Sequence, residues 1–191
     1  MKTNEYEHYE KVANWDFSKI NYESEVLTNW DYFEIIKEAS TAESRILDLG
    51  TGGGENVLKH YPKVLEILAT DYSQAMIATA NKNLESSKKE YITFKVMDNL
   101  KMDTPANYYD IVTARHTVTD PKGIYKTLKP GGMLILRGVD KMDCFTLKRV
   151  FDKEQNLDDE IPISVSDYIG ILNAGFKDVE LVPIHTREYY K

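Results

Sequence analysis

Residues 48–54 join one carboxylate to four glycines, directly after a short apolar segment. Glycine lets a backbone turn tightly and come close to a ligand, and the start of a following helix offers free N–H groups to an anion. Asp71 stands twenty-one positions after Gly50, at the end of the next apolar segment. A carboxylate there can accept hydrogen bonds from both hydroxyls of a ribose. The combination predicts a site for a ligand that contains a nucleoside.

Two acidic residues indicate which nucleoside-containing ligand this site would bind. In the glycine pattern of dinucleotide sites, the last glycine position falls here on Glu55, whose charge would repel a pyrophosphate. Asp48 stands two residues before the first glycine, where the strand of a dinucleotide site is apolar, and it suits a ligand with an ammonium group. These residues favour S-adenosylmethionine, and they leave a nicotinamide oxidoreductase as the disfavoured alternative.

Alternating strands and helices must position this site. Strands are predicted at 45–50, 64–71, 91–97, 109–114, 133–138, 176–184 and 186–190, and helices at 55–61, 73–88, 121–128 and 164–175. Such alternation implies parallel pairing with right-handed crossovers, hence an open α/β sheet with helices on both faces. Ligands bind such sheets at the carboxyl ends of the strands, where the glycine turn and Asp71 both fall.

The first 44 residues are polar and aromatic, unlike the rest of the chain. Apolar spacing predicts an amphipathic helix over 23–39 and a shorter one over 4–13. We therefore divide the chain into an N-terminal helical lid, residues 1–44, and a cofactor-binding domain, residues 45–191. Tyr9 and Trp15 are the candidate lid residues, since their rings would shield a sulfonium from water or pack on a flat acceptor; core packing is the alternative.

Five segments in order resemble the class I S-adenosylmethionine-dependent methyltransferases over roughly residues 45–190. They are Ile46-Leu47-Asp48-Leu49-Gly50-Thr51-Gly52-Gly53-Gly54, Ala69-Thr70-Asp71-Tyr72-Ser73-Gln74-Ala75-Met76, Met97-Asp98, Tyr109-Asp110-Ile111-Val112-Thr113-Ala114-Arg115-His116 and Leu128-Lys129-Pro130-Gly131-Gly132-Met133-Leu134-Ile135. The resemblance implies a doubly wound, Rossmann-like, mostly parallel seven-stranded sheet of order 3-2-1-4-5-7-6 with an antiparallel last strand.

The same resemblance implies where the cofactor lies. The methionine end would meet Asp48 and the glycine turn, the ribose would meet Asp71 and Tyr72, and the adenine would meet Asp98 and Asn99. The implied cofactor-binding residues are Asp48, Gly50, Thr51, Gly52, Gly54, Asp71, Tyr72, Met76, Asp98, Asn99 and Arg115. Arg115 is also a candidate for binding an acidic acceptor or for orienting a loop.

Methyl transfer from a sulfonium asks little chemistry of the protein, because the cofactor already carries an electrophilic methyl group. Positioning is the main contribution, and a general base is needed only where the nucleophile must lose a proton. His116 is the candidate base, because it follows the fourth predicted strand and histidine titrates near neutral pH. The alternative is a loop histidine that contacts the cofactor or nothing.

The composition of the chain limits which molecules are expected as its partners. The 191 residues carry a net charge of −7, which makes nucleic acid an unlikely partner. Cys144 is the only cysteine, so the chain cannot form an internal disulfide, and a cytoplasmic location fits best. No metal site or membrane segment is predicted, and a monomer or homodimer is expected. We predict a small-molecule methyltransferase; the alternatives are a methyltransferase of RNA or protein and a non-catalytic cofactor-binding module.

Overall fold

Strands and helices alternate from Arg45 onward, as the apolar spacing predicts. A computed structural model describes residues 21–140, 143–144, 150 and 163–190. Its elements are β1 (Tyr22–Val26), α1 (Tyr32–Ala39), β2 (Arg45–Leu49), α2 (Glu55–His60), β3 (Glu66–Asp71), α3 (Gln74–Ser87), β4 (Ile92–Val96), β5 (Tyr109–Arg115), α4 (Pro121–Thr127), β6 (Leu128–Arg137), α5 (Ile163–Ala174) and β7 (Thr186–Tyr190). Tyr9, Trp15 and the helix predicted over 4–13 lie outside the described residues.

Five parallel strands form the main sheet in the order β4-β3-β2-β5-β6. This is the 3-2-1-4-5 portion of the predicted order, so the α/β, Rossmann-like character of the domain is confirmed. Asp48 in the central strand lies opposite Ala69 on one side and Thr113 on the other. The carboxyl ends of β2, β3 and β5 therefore meet at one edge, which is where the glycine turn begins.

The sheet does not continue with the predicted 7-6 strands within the described residues. Residues 176–184 form no strand, and β7 pairs with β1 in a separate antiparallel ribbon. The ribbon continues into a hydrogen bond from Leu27 N to the carbonyl of His185 at 2.9 Å. The described residues do not confirm the seven-stranded order beyond its five parallel strands, because β7 takes its hydrogen-bond partner from the far end of the chain. A local pattern carries no signal of such a distant pairing.

The helix predicted over 23–39 is also corrected. Residues 22–26 are the exposed strand β1, and the helix begins only after Asp31. Oδ1 of Asp31 accepts hydrogen bonds from the backbone N–H groups of Phe33 and Glu34 at 2.8 and 2.9 Å, and so satisfies two donors of the first turn. This cap fixes the start of α1 nine residues later than predicted.

Two apolar clusters pack against the two faces of the sheet, as period-two alternation along each strand requires. On one face, Ile46, Ile111 and Ile135 pack with Tyr32 and Ile36 of α1, which are 1% and 0% exposed. The other face carries a second cluster whose strand residues include Leu47, Leu49, Val112 and Leu134. The helix α1 is thus part of the core although it precedes the predicted domain boundary at residue 44. No helix among the described residues has the length and hydropathy that crossing a bilayer would need.

Candidate functional site

The glycine turn after β2 is held in a backbone conformation that other residues rarely adopt. Gly50, Gly52 and Gly54 have φ angles of 76°, 59° and 77°. A Cβ on Gly54 would also lie 2.6 Å from Cζ of Phe94, so a side chain is excluded twice at this position. The N–H groups of Gly50 and Thr51 both donate to the carbonyl of Thr70, at 2.8 and 2.9 Å. The turn is therefore fixed to the carboxyl end of β3.

Asp71 ties the same two segments together through its side chain. Its Oδ2 accepts a hydrogen bond from Gly52 N, and its Oδ1 accepts one from Ser73 N, each at 2.9 Å. Ser73 then caps α3 by accepting from Met76 N at 3.2 Å. Because each carboxylate oxygen has two acceptor positions, each one keeps capacity for a further donor. The sequence prediction that the turn and Asp71 converge is confirmed.

Asp48 lies beneath the turn and is only 4% exposed. The hydroxyls of Tyr61 and Thr113 both donate to its Oδ1, at 2.6 and 2.8 Å. Burial raises the pKa of Asp48, and these hydrogen bonds and the charge of Arg115 oppose that rise. Tyr61 was missed in the sequence, where it marks only the end of a short helix before Pro62. Its effect is to orient a buried carboxylate at the edge where the cofactor is predicted.

Asn99 carries a buried polar side-chain atom, Oδ1, without a hydrogen-bond partner. Asn99 is 5% exposed, and its amide group donates to Oγ1 of Thr117 at 3.0 Å. Buried polar atoms are nearly always paired, so this atom suits a site that takes a polar ligand. Thr117, which no sequence motif identified, packs closely against Gly50. A Cβ atom added to Gly50 would lie 2.6 Å from the Cβ atom of Thr117.

Three predicted cofactor residues are placed differently from one another. Met76 is 1% exposed, so its side chain packs in the core rather than at a ligand surface. Tyr72 is 51% exposed beside Asp71. Asp98 caps its own loop, because its Oδ1 accepts from Leu100 N at 2.9 Å. Of these three, Tyr72 and Asp98 stay predicted cofactor-binding residues, and Met76 is buried.

His116 follows β5 with a φ angle of 53°, in the left-handed region. Its N–H donates to the carbonyl of Arg137 at 2.9 Å. Desolvation lowers the pKa of His116 to about 4; the nearby charges of Arg115 and Arg137 act in the same direction, and Asp143 opposes them. The imidazole is therefore neutral at pH 7, free to accept a proton but only weakly basic. Its role as general base stays a prediction.

The architecture first defines the class of protein: a Rossmann-like α/β domain in which a glycine turn and a distal acid meet at one edge of the parallel sheet. Residues 46–132 match the family model described as "Methyltransferase domain". This segment therefore matches a methyltransferase domain, and the resemblance of the sequence to the class I S-adenosylmethionine-dependent methyltransferases is confirmed.

Individual relatives agree with the family. The chain is 32% identical over 99 residues to the ribosomal protein L11 methyltransferase of Listeria monocytogenes serotype 1/2a (strain 10403S), a match that covers 49% of this chain and 32% of that protein. It is 27% identical to the YcgJ protein of Bacillus subtilis, with a TM-score of 0.51 over 55% of this chain and 48% of that one. An S-adenosylmethionine-dependent methyltransferase from Aquifex aeolicus shares the fold, with a TM-score of 0.63 over 97% of this chain and 96% of that one at 17% identity. The chain thus spans about a third of the length of the curated relative from Listeria.

S-adenosylmethionine is the cofactor of this family, and the residues present fit it. The unpartnered Oδ1 of Asn99 matches the amino group of an adenine, and the spare acceptor capacity of Asp71 matches two ribose hydroxyls. The glycine turn presents backbone without side chains. Thr117, which follows β5, packs against Gly50 of this turn.

Proposed function

We propose that this protein is an S-adenosylmethionine-dependent methyltransferase that acts on a small molecule. The observation that carries the proposal is the hydrogen bond from Gly52 N to Asp71, which sets a ribose-binding acid directly against the glycine turn. Asp71 would hold the ribose, Asn99 the adenine amino group, and Asp48 with the turn the ammonium end. When bound, the cofactor supplies an electrophilic methyl group on a sulfonium.

The chain's own residues contribute positioning and a polar edge. Asp48 is oriented by Tyr61 and Thr113, so a cationic group of the ligand would meet a carboxylate whose direction is already fixed. His116, neutral at pH 7, would accept a hydrogen bond from the acceptor. A base this weak suits an acceptor whose nucleophile is already deprotonated or loses its proton easily.

A small acceptor is favoured by the net charge of −7, which works against nucleic acid. The likeness to the ribosomal protein L11 methyltransferase raises a protein acceptor as the second candidate. That match covers 99 residues and a third of the relative's length, so it does not extend to most of that protein. We keep Tyr9 and Trp15 as proposed lid residues over the acceptor, whereas α1 of the predicted lid segment packs in the core.

Calorimetric titration with S-adenosylhomocysteine tests the cofactor site. Asp71→Ala should weaken binding by about tenfold or more, the effect of losing ~1.4 kcal/mol of ribose contacts. Asp103→Ala, which removes an exposed carboxylate elsewhere, should leave the affinity unchanged. Equal affinity of wild type and Asp71→Ala would overturn the ribose assignment. Transfer of a tritiated methyl group to a panel of small molecules, and to ribosomal protein, would then separate the two acceptor classes.

A further inference from the structure

Two arginines stand side by side at the edge of the sheet where the cofactor site lies. Arg115 ends β5 and Arg137 ends β6, and the two residues are register partners on neighbouring parallel strands. Thr113 lies two residues before Arg115 on the same strand, so both side chains project from the same face. That face also carries Asp48, which is the register partner of Thr113. The arginines therefore occupy the row just beyond the Asp48 and Thr113 pair.

Both guanidinium groups are half-buried, yet neither has a carboxylate within ion-pair distance among the described residues. The negative charges of Asp31 and Asp48 act on them only at longer range. Asp31 is occupied as the cap of α1, and Oδ1 of Asp48 is occupied by two hydroxyls. Like charges on adjacent strands repel each other, and partial burial strengthens that repulsion. A bound anion would stabilise two arginines in this arrangement, whereas without an anion their mutual repulsion lowers the stability of the fold.

The backbone that joins the ends of the two arginine-bearing strands is also constrained. His116 follows Arg115 in a left-handed conformation, and its N–H donates to the carbonyl of Arg137 at 2.9 Å. Non-glycine residues in that conformation cluster at functional sites, because the surrounding structure has to impose it. The neutral imidazole adds no third positive charge, so it leaves the two guanidinium forks as the cationic groups of this row.

We propose that Arg115 and Arg137 bind an anionic oxygen group, a carboxylate or a phosphate, on the small molecule that this protein methylates. Arginine's planar fork matches both groups with two parallel hydrogen bonds. The inference rests on the proposed function, because it assigns the row beyond Asp48 to the acceptor rather than to the cofactor. It narrows the acceptor from any small molecule to an acidic one.

Phosphate and acetate are the probes, each titrated into wild-type protein saturated with S-adenosylhomocysteine, with sodium chloride at matched ionic strength as reference. We expect a saturable rise in melting temperature with at least one probe, and the stronger of the two identifies the oxyanion. Arg137→Gln should raise the apparent Kd of that probe by about tenfold or more, the loss of ~1.4 kcal/mol. Arg187→Gln removes an exposed arginine from β7 and should change nothing. Arg137→Lys keeps the charge without the fork and should give an intermediate Kd.

Three outcomes overturn the proposal. In the first, neither probe raises the melting temperature of the wild type more than sodium chloride does. In the second, Arg137→Gln binds the probe as well as wild type does; in the third, Arg137→Gln loses more affinity for S-adenosylhomocysteine than for the probe. The last outcome would assign the arginines to the carboxylate of the cofactor instead. If wild type binds phosphate or acetate but not S-adenosylhomocysteine, the proposed function fails while the oxyanion site stands.

Discussion

The backbone N–H of Gly52 donates a hydrogen bond of 2.9 Å to Oδ2 of Asp71, across nineteen positions of sequence. This contact joins the turn after β2 to the end of β3. Since the carboxylate is already aligned by Gly52 and Ser73, little side-chain freedom is left to lose when a ribose arrives. The carboxylate proposed to hold the ribose is thus preorganised by the backbone.

The glycine at position 54 should be far less replaceable than another left-handed glycine. Gly54→Ala adds a methyl group 2.6 Å from the ring of Phe94, whereas Gly131 has a similar φ of 80° and open space around its Cβ position. We expect Gly54→Ala to lower the free energy of unfolding by about 2–5 kcal/mol and Gly131→Ala by about 1 kcal/mol. Urea denaturation of both variants measures the difference. Equal losses would show that Phe94 moves aside without cost.

The hydroxyl of Tyr61 should matter mainly through the charge of Asp48. Tyr61→Phe leaves a buried carboxylate with one donor fewer, and we expect a loss of about 1–3 kcal/mol in unfolding free energy. Asp48→Asn removes the charge that burial disfavours, so it should stabilise the fold at pH 7 while it weakens S-adenosylhomocysteine binding. A double-mutant cycle by chemical denaturation measures the coupling. If Tyr61→Phe costs as much in the Asp48→Asn background, the charge plays no part.

Lowering the pH should reduce the free energy of unfolding partly through the protonation of His116. Its pKa is about 4 in the folded protein against 6.5 for an unperturbed histidine, so the unfolded chain takes up this proton first as pH falls. The contribution of the neutral imidazole is complete above pH 6.5 and is lost progressively as the pH falls from 6.5 toward 4. His116→Asn tolerates the left-handed backbone and should flatten the stability profile in this range. Urea midpoints at several pH values test this, and identical slopes in both proteins would contradict it.

Asn99 should recognise the amino group of the adenine. We expect Asn99→Ala to bind S-adenosylhomocysteine about tenfold more weakly, because a buried acceptor for that group is lost. The wild type should prefer S-adenosylhomocysteine to S-inosylhomocysteine, which carries an oxygen instead of the amino group, and Asn99→Ala should lose that preference. Calorimetry with both ligands decides. A preference retained by the variant would move adenine recognition to another residue.

The sequence by itself determined the part of the site that depends on consecutive elements. The glycine turn and Asp71 end two successive strands, and parallel strands bring successive carboxyl ends to one edge, so their convergence could be predicted without coordinates. The order of the five parallel strands was implied by the resemblance to the family, which the motifs at the ends of these strands carry.

Only the tertiary structure decided the contacts that join distant parts of the chain. Tyr61 reaches Asp48, Thr117 packs over Gly50, and Arg137 lies beside Arg115, and none of these pairs has a fixed spacing that marks it. The pairing of β7 with β1 is of the same kind, since an exposed strand takes whichever edge the fold brings to it. Local sequence patterns predict which face of an element a residue lies on, but the packing between elements determines which residue it contacts. In this protein that packing brings Arg137 beside Arg115 and Tyr61 to Asp48, and so determines the charge of the site.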